Sequence, residues 1–228
     1  LDVGIAREVR GWGGEMLFYP AIKQLTLDLA AESFLGIPFG PESAKINQAF
    51  VDMVQASVAP VRKPLPFTAM KRGVDGRAYL VDLFTRETHK RRAEGGGQDM
   101  FSQFANATRE DGTLIPVDQV VDHMNFLMMA AHDTITSSAT ALVWKLAQHP
   151  EWQEKLRQEI VAITGGTDAA GEARGVSYDD LGKLDLTDMA FKESLRMIPP
   201  VPSLPRRALR SFEFRGYRIP AGAEVGFN

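Results

Sequence analysis

The sequence predicts a mainly α fold with a small β region. Apolar residues recur at helical spacing along most of the 228 residues, and the longest stretch without a breaker runs from Pro116 to Pro150. Beyond Pro199-Pro200 the helical spacing stops, and Phe212, Phe214 and Tyr217 alternate around turn residues.

Ala21 to Leu35 is strongly apolar at helical spacing, and Gly36 with Pro38 ends it. Pro41-Glu42 opens a second helix reaching about Ala56. Val58 to Pro66 holds three prolines and is a loop. A third helix is expected from about Thr68 to Arg92, where Lys90-Arg91-Arg92 suit the helix dipole and Gly95-Gly96-Gly97 stop it. Asp99 to Ala107 is a short helix and Asp111-Gly112 a turn.

From Pro116, which suits a first helical turn, no breaker appears until Pro150. A helix over Pro116–His149 would be roughly 50 Å long. Its middle, Asn125 to Leu146, is apolar or small nearly all round, so it is expected to be buried. Asn125, His132, Asp133 and the hydroxyls Thr134, Thr136, Ser137, Ser138 and Thr140 argue against a membrane span, because polar groups are costly in lipid. After it come an amphipathic helix (Glu151–Ile163), a glycine-rich loop (Thr164–Gly175), a helical turn at Tyr178–Leu181 and a helix from Asp185 to Met197. Turns are expected at Arg215-Gly216 and Pro220-Ala221-Gly222.

Composition excludes some functions. There is no cysteine, so disulfides, zinc–thiolate sites and a cysteine nucleophile are ruled out in these residues. The net charge is −3, from 26 basic and 29 acidic residues, and is evenly spread, which does not suit a nucleic-acid partner. Leu1 is not a start residue, and no signal peptide follows it. The expected setting is cytoplasmic and soluble, with an upstream membrane anchor left open.

Two constellations carry chemistry. In Ala130-Ala131-His132-Asp133-Thr134, small residues let a flat group approach the long helix. Thr134 can bond a carbonyl one turn back, loosening the ladder and admitting water. A buried acid beside a hydroxyl can relay protons, or Asp133 can simply belong to a buried hydrogen-bond network. In Glu193-Ser194-Leu195-Arg196, Glu193 and Arg196 sit three apart and can pair; an exposed pair of this kind contributes little.

The order of these motifs, Asp-Thr in a long helix and Glu-x-x-Arg 60 residues later before a proline-led strand, resembles the cytochrome P-450 superfamily. The resemblance covers essentially the whole chain. Phe18-Tyr19-Pro20 and the apolar helix look like the family's helix E, Pro41–Arg92 like its helix F, loop and helix G lid. Pro116–His149 looks like helix I, Glu151–Ile163 helix J, Thr187–Met197 helix K, and Pro199–Phe227 the small β region. The implied fold is a partial cytochrome P-450 fold, residues 1–228 being an incomplete single monooxygenase domain that lacks the N-terminal part and the cysteine loop.

The resemblance implies roles. Ala130 and Ala131 would lie against the distal face of haem b. Asp133 and Thr134 would deliver protons during oxygen activation. Glu193 and Arg196 would form a buried ion pair behind the haem. Arg206, ten residues before Gly216, would bind a haem propionate, with Arg207 as its rival. Phe126 and Met129 would line one wall of an apolar substrate pocket, and Val201, Ser203 and Leu204 another. The implied partners are an apolar small-molecule substrate and an electron-donor protein, a ferredoxin or flavoprotein reductase.

This sequence departs from the family where Ala131 replaces a frequent glycine and Ile135 a second hydroxyl residue. The thiolate that gives the chemistry its electron push would lie beyond Asn228, and no metal ligand is expected in this chain. His89, His123, His132 and His149 remain; of these His132 is nearest the supposed haem face, as a packing or hydrogen-bonding residue. His132 before Asp133-Thr134 resembles branches acting on sterols, retinoids and terpenoids. The expectation is therefore a haem-thiolate monooxygenase represented by part of its chain. The alternative is a truncated, non-catalytic helical domain that binds a partner or lipid.

Overall fold

The computed structural model describes residues 2–37, 40–166 and 174–227, with the side chains of Asp2 and His132 outside the description. It is mostly helical with a small antiparallel strand region. The helices are α1 (Asp2–Arg10), α2 (Phe18–Leu35), α3 (Pro41–Ser57), α4 (Ala69–Glu94), α5 (Met100–Asn106), α6 (Val117–Gln148), α7 (Pro150–Thr164) and α8 (Asp185–Met197), with a 3-10 turn at Tyr178–Lys183 before α8. The strands are β1 (Leu204–Arg207), β2 (Phe212–Phe214), β3 (Tyr217–Ile219) and β4 (Glu224–Phe227). The expected element order is borne out. α1 was not foreseen, and Pro38 and most of the expected glycine-rich loop, residues 167–173, lie outside the described residues.

Local chemistry explains the ends. Gly36, at φ +66°, closes α2: its N–H bonds Glu32 O at 3.1 Å, and the Ile37 N–H bonds Ala31 O at 3.2 Å. Thr68 caps α4 by accepting the Lys71 N–H, and Asp99 caps α5 by accepting that of Ser102. β2 and β3 form a hairpin through Arg215 and Gly216, both at positive φ, as a tight primed turn requires. β1 pairs with β4, so that Arg206 faces Val225 and Arg207 faces Glu224.

α3 and α4 lie antiparallel and close. A Cβ at Gly73 would sit 2.2 Å from Ala56 Cβ and 2.8 Å from Asp52 O; one at Gly76 would sit 2.8 Å from Ala49 O. The core lies where this pair meets α5 and the first half of α6. Leu35, Ile46, Phe50, Leu80, Phe84, Phe101, Val120, Met124 and Met128 are buried together, with Phe84 edge-on to Phe101 at 5.5 Å between ring centres.

Two consecutive arginines fasten the C-terminal end of α4. Arg91 donates to Asp99, Ser102 and Leu35 O, at 2.6–2.8 Å, and Arg92 donates to Ala105 O and Ile115 O. The expected dipole partners of the helix end thus also join α4 to α2, α5 and the entry to α6.

Burial of α6 is partial, unlike the all-round burial expected from its composition. Val120, Val121, Met124, Met128, Thr136, Ser138 and Ala141 are buried, whereas Phe126 is 64% exposed and Met129, Ile135, Val143 and Trp144 are exposed too. α2, α4 and α8 pack against α6. Among the described residues no element covers the side that carries Phe126.

Candidate active site along the long helix

The open side of α6 carries the first constellation. Phe126, Ala130 and Thr134 are spaced by four residues and share a face; Thr134 is exposed, and Ala130 and Ala131 are half-buried. Met129 is exposed at its edge. Thr134 donates to Ala130 O at 2.7 Å, Ser138 to Thr134 O at 2.8 Å and Thr140 to Thr136 O at 2.7 Å. The expected back-bond is present, but the expected loosening is not: α6 is continuous helix from 117 to 148. A carbonyl oxygen has two lone pairs, so each hydroxyl adds a bond without displacing the helical one.

Asp133 is also less enclosed than expected. Its side chain is 38% exposed and faces Lys23 of α2, with Nζ and Oδ1 3.7 Å apart. It sits at the rim of the open face, where α2 meets α6. Lys23 was not anticipated. The signal for it was one lysine in a helix that also carries Asp28 and Glu32, which gives no clue to its neighbour.

Glu193 and Arg196 pair through both guanidinium branches at 2.7 Å. The Arg196 fork holds the Glu193 carboxyl below the usual carboxylate range, and Glu193 in turn raises Arg196. The burial implied by the resemblance is absent, since the Glu193 and Arg196 side chains are 55% and 70% exposed. α8 presents Ser194 to the interior and this pair to the outside. Glu193 borders a groove of about 540 Å³ shaped by Leu142, Trp152 and Met197.

The β region separates the two candidate arginines. Arg207 reaches Glu224 at 3.4 Å, whereas Arg206, its neighbour on the opposite face of the ladder, bonds only the adjacent Pro205 O at 2.9 Å among the described contacts. Val201, Ser203 and Leu204 are exposed beside them. β1 pairs with β4, and Phe126 and Met129 lie on α6.

A family model for cytochrome P450 matches residues 19–228. The chain belongs to the cytochrome P450 family. The P450 136 protein of Mycobacterium tuberculosis is 36% identical over 212 residues, covering 92% of this chain and 41% of that protein. Human cytochrome P450 26C1 is 31% identical over 252 residues, covering 100% and 48%. A retinoic acid-bound cyanobacterial CYP120A1 structure superposes with a TM-score of 0.82 at 24% identity, covering 99% of this chain and 50% of that one. The chain thus spans about half the length of the P450s it matches.

Haem is the cofactor that P450 membership implies. It is flat, largely apolar and carries propionates. The open α6 face, with the small side chain of Ala130, fits its surface, and the exposed guanidinium of Arg206 fits a propionate; Ala131, one residue on, points about 100° away from Ala130 around the helix. With no cysteine among the 228 residues, a thiolate ligand to iron is not in this chain. Among the described residues no group of three or more His, Cys, Asp and Glu is placed to hold a metal ion. Among the described residues no helix is long and apolar enough to cross a membrane.

Proposed function

We propose that this chain is the central part of a haem-thiolate monooxygenase that inserts one oxygen atom of O2 into an apolar small molecule. The observation that carries the reading is the open face of α6, where Phe126, Ala130 and Thr134 line up with Asp133 at the rim, in a chain of P450 sequence. Bound haem supplies the dioxygen chemistry, and its thiolate ligand would come from outside these residues. Phe126 and Met129 exclude water and offer apolar contact to the substrate, as a small-molecule pocket requires. Val201, Ser203 and Leu204 are proposed to approach from the β region. Thr134 holds its proton toward Ala130 O and can turn it toward the open face, while Asp133, in contact with solvent, replaces the proton from bulk water. Arg206 anchors a propionate, leaving Arg207 to its strand partner Glu224.

The substrate class is apolar and extended. Taxane 13-alpha-hydroxylase of Taxus cuspidata is among the relatives, at 28% identity, and the CYP120A1 structure holds retinoic acid. The two electrons would come from a ferredoxin or flavoprotein reductase. The test is the carbon-monoxide difference spectrum of the complete, reduced protein, followed by a screen of terpenoid and retinoid ligands for shifts of the haem band. A thiolate-type band with tight responses to apolar ligands is expected. Loss of that band, or responses to hydrophilic charged ligands alone, would overturn the proposal.

A further inference from the structure

We infer that Asp28 and Asn47 form a proton-sensitive latch between α2 and α3, in which one proton taken up from solvent closes a second hydrogen bond across the two helices. Asn47 is buried, at 4% exposure, and its Nδ2 donates to Asp28 Oδ1 at 2.9 Å. Its Oδ1 is also buried and has no partner among the described residues. A buried acceptor left unpaired is costly, so the half-used amide calls for a donor.

The chemistry of the two groups supplies one. An ionised carboxylate only accepts, so it satisfies Nδ2 and offers nothing to Oδ1. A protonated carboxyl has an O–H and a C=O side by side, as an amide has an N–H and a C=O. Set edge to edge, the two close a ring of two hydrogen bonds. Asp28 Oδ1 keeps the Nδ2 bond, and a proton on Asp28 Oδ2 is donated to Asn47 Oδ1. Gln24 Nε2, 2.9 Å from Asp28 Oδ2, keeps its acceptor, because a hydroxyl oxygen still has lone pairs.

The surroundings favour the proton. Burial pushes the Asp28 carboxyl above its usual range, against the Gln24 and Asn47 donors. Of the charged groups that act on it, Glu8 of α1 opposes ionisation and Arg7 of α1 favours it. α3 brings the neutral Asn47. Asp133 of α6 meets α2 further back, at Lys23, and Asp99 meets its end at Gly36. A carboxyl with a raised folded pKa gives stability that is fully present below the unfolded value, about pH 4, and is lost as pH rises through the folded one. The latch therefore tightens as pH falls, and it acts on the first half of α3, at the root of the α3–α4 hairpin.

The test uses the complete, haem-loaded protein and needs no turnover. Aspartate and asparagine are labelled with 13C at Cγ, and the two NMR signals are assigned by their loss in Asp28→Asn and Asn47→Ser. The Asp28 signal is expected to titrate above the ordinary aspartate range, and the Asn47 signal to move with the same midpoint. A midpoint at or below that range overturns the inference. An Asn47 signal that stays still while Asp28 titrates shows that its oxygen is served by something else, and overturns it too. Hydrogen exchange covers the case in which Asn47→Ser does not fold. As pH is lowered from about 7 to about 5, protection of the α3 amides around Asn47 should rise about two- to ten-fold in the parent, the change one added hydrogen bond can impose, and stay level in Asp28→Asn. The same pH dependence in both proteins would overturn the latch.

Discussion

Gly73→Ala in α4 sets two effects of opposite sign against each other. Alanine is favoured over glycine in a helix interior by about 1 kcal/mol. Here the new Cβ would lie 2.2 Å from Ala56 Cβ and 2.8 Å from Asp52 O. Carbon pairs are comfortable at about 3.5–4.0 Å, so α3 would have to withdraw by more than an ångström. Neither neighbour is the end of a flexible side chain, and the shift would reach Phe50 and Ile46, which are fully buried on the same helix. Overpacking of this kind costs about 1–3 kcal/mol, so the net effect is a loss of about 0–2 kcal/mol, with about 1 kcal/mol at the middle of that range. Urea denaturation followed by circular dichroism measures it: with slopes of about 2–3 kcal/mol/M, the midpoint should fall by roughly 0.5 M. A midpoint that rises would show that the two helices yield without cost and would refute the close-packing argument. Gly76→Ala, facing Ala49 O, should shift it in the same direction.

Other outcomes can be checked in the same way. Thr134→Ala removes the hydroxyl on the open face and should leave substrate affinity nearly intact while diverting electrons to hydrogen peroxide, which product and peroxide assays per electron read directly. Glu193→Ala in the 228-residue chain should leave the melting curve close to that of the parent, because both partners are exposed; a large loss of stability would show that the pair is covered. Asp180 accepts from Arg174, the Ser177 hydroxyl and Lys183, which hold its carboxyl well below the usual carboxylate range. A depressed folded-state pKa gives stability that is present above the unfolded value, near pH 4, and is lost as pH falls toward the folded one. Melting temperatures should therefore drop more steeply with acid in the parent than in Asp180→Asn. Glu159 accepts the N–H groups of Leu186 and Thr187 and the Thr187 hydroxyl at the start of α8; Glu159→Gln should cost about 1 kcal/mol, as loss of a helix cap does.

The helices and their order were legible because their signals are local. Pro41, Gly36, Asp99 and the Gly95 stop act within one turn, and the period of apolar residues sets the rest. The two constellations were legible because each lies within a single helix. What lay beyond reach was relational. Nothing in Phe18–Leu35 says that Lys23 meets Asp133 or that Thr26 meets Thr136, since these contacts span 110 residues. The burial of α6 was over-read for a similar reason: composition reports that a surface is apolar, not which neighbour covers it. The spacing of Glu193 and Arg196 predicts that they pair, but their exposure depends on what lies opposite, and that is a property of the fold.

The paired arginines at the end of α4 have a mechanical consequence. Arg91 and Arg92 pin that end to α2, α5 and the segment before Val117, and Arg77 reaches Asp122 of α6 at 4.0 Å further up the helix. The α3–α4 hairpin is thereby clamped at its base and along part of its length, like a cantilever. Its overhang is the proline-bearing bend from Val58 to Thr68, with Phe67 almost wholly in solvent. Any deflection of such a beam is smallest at the arginines and grows toward the bend. The core beneath Phe84 can then stay rigid while the tip sweeps an arc.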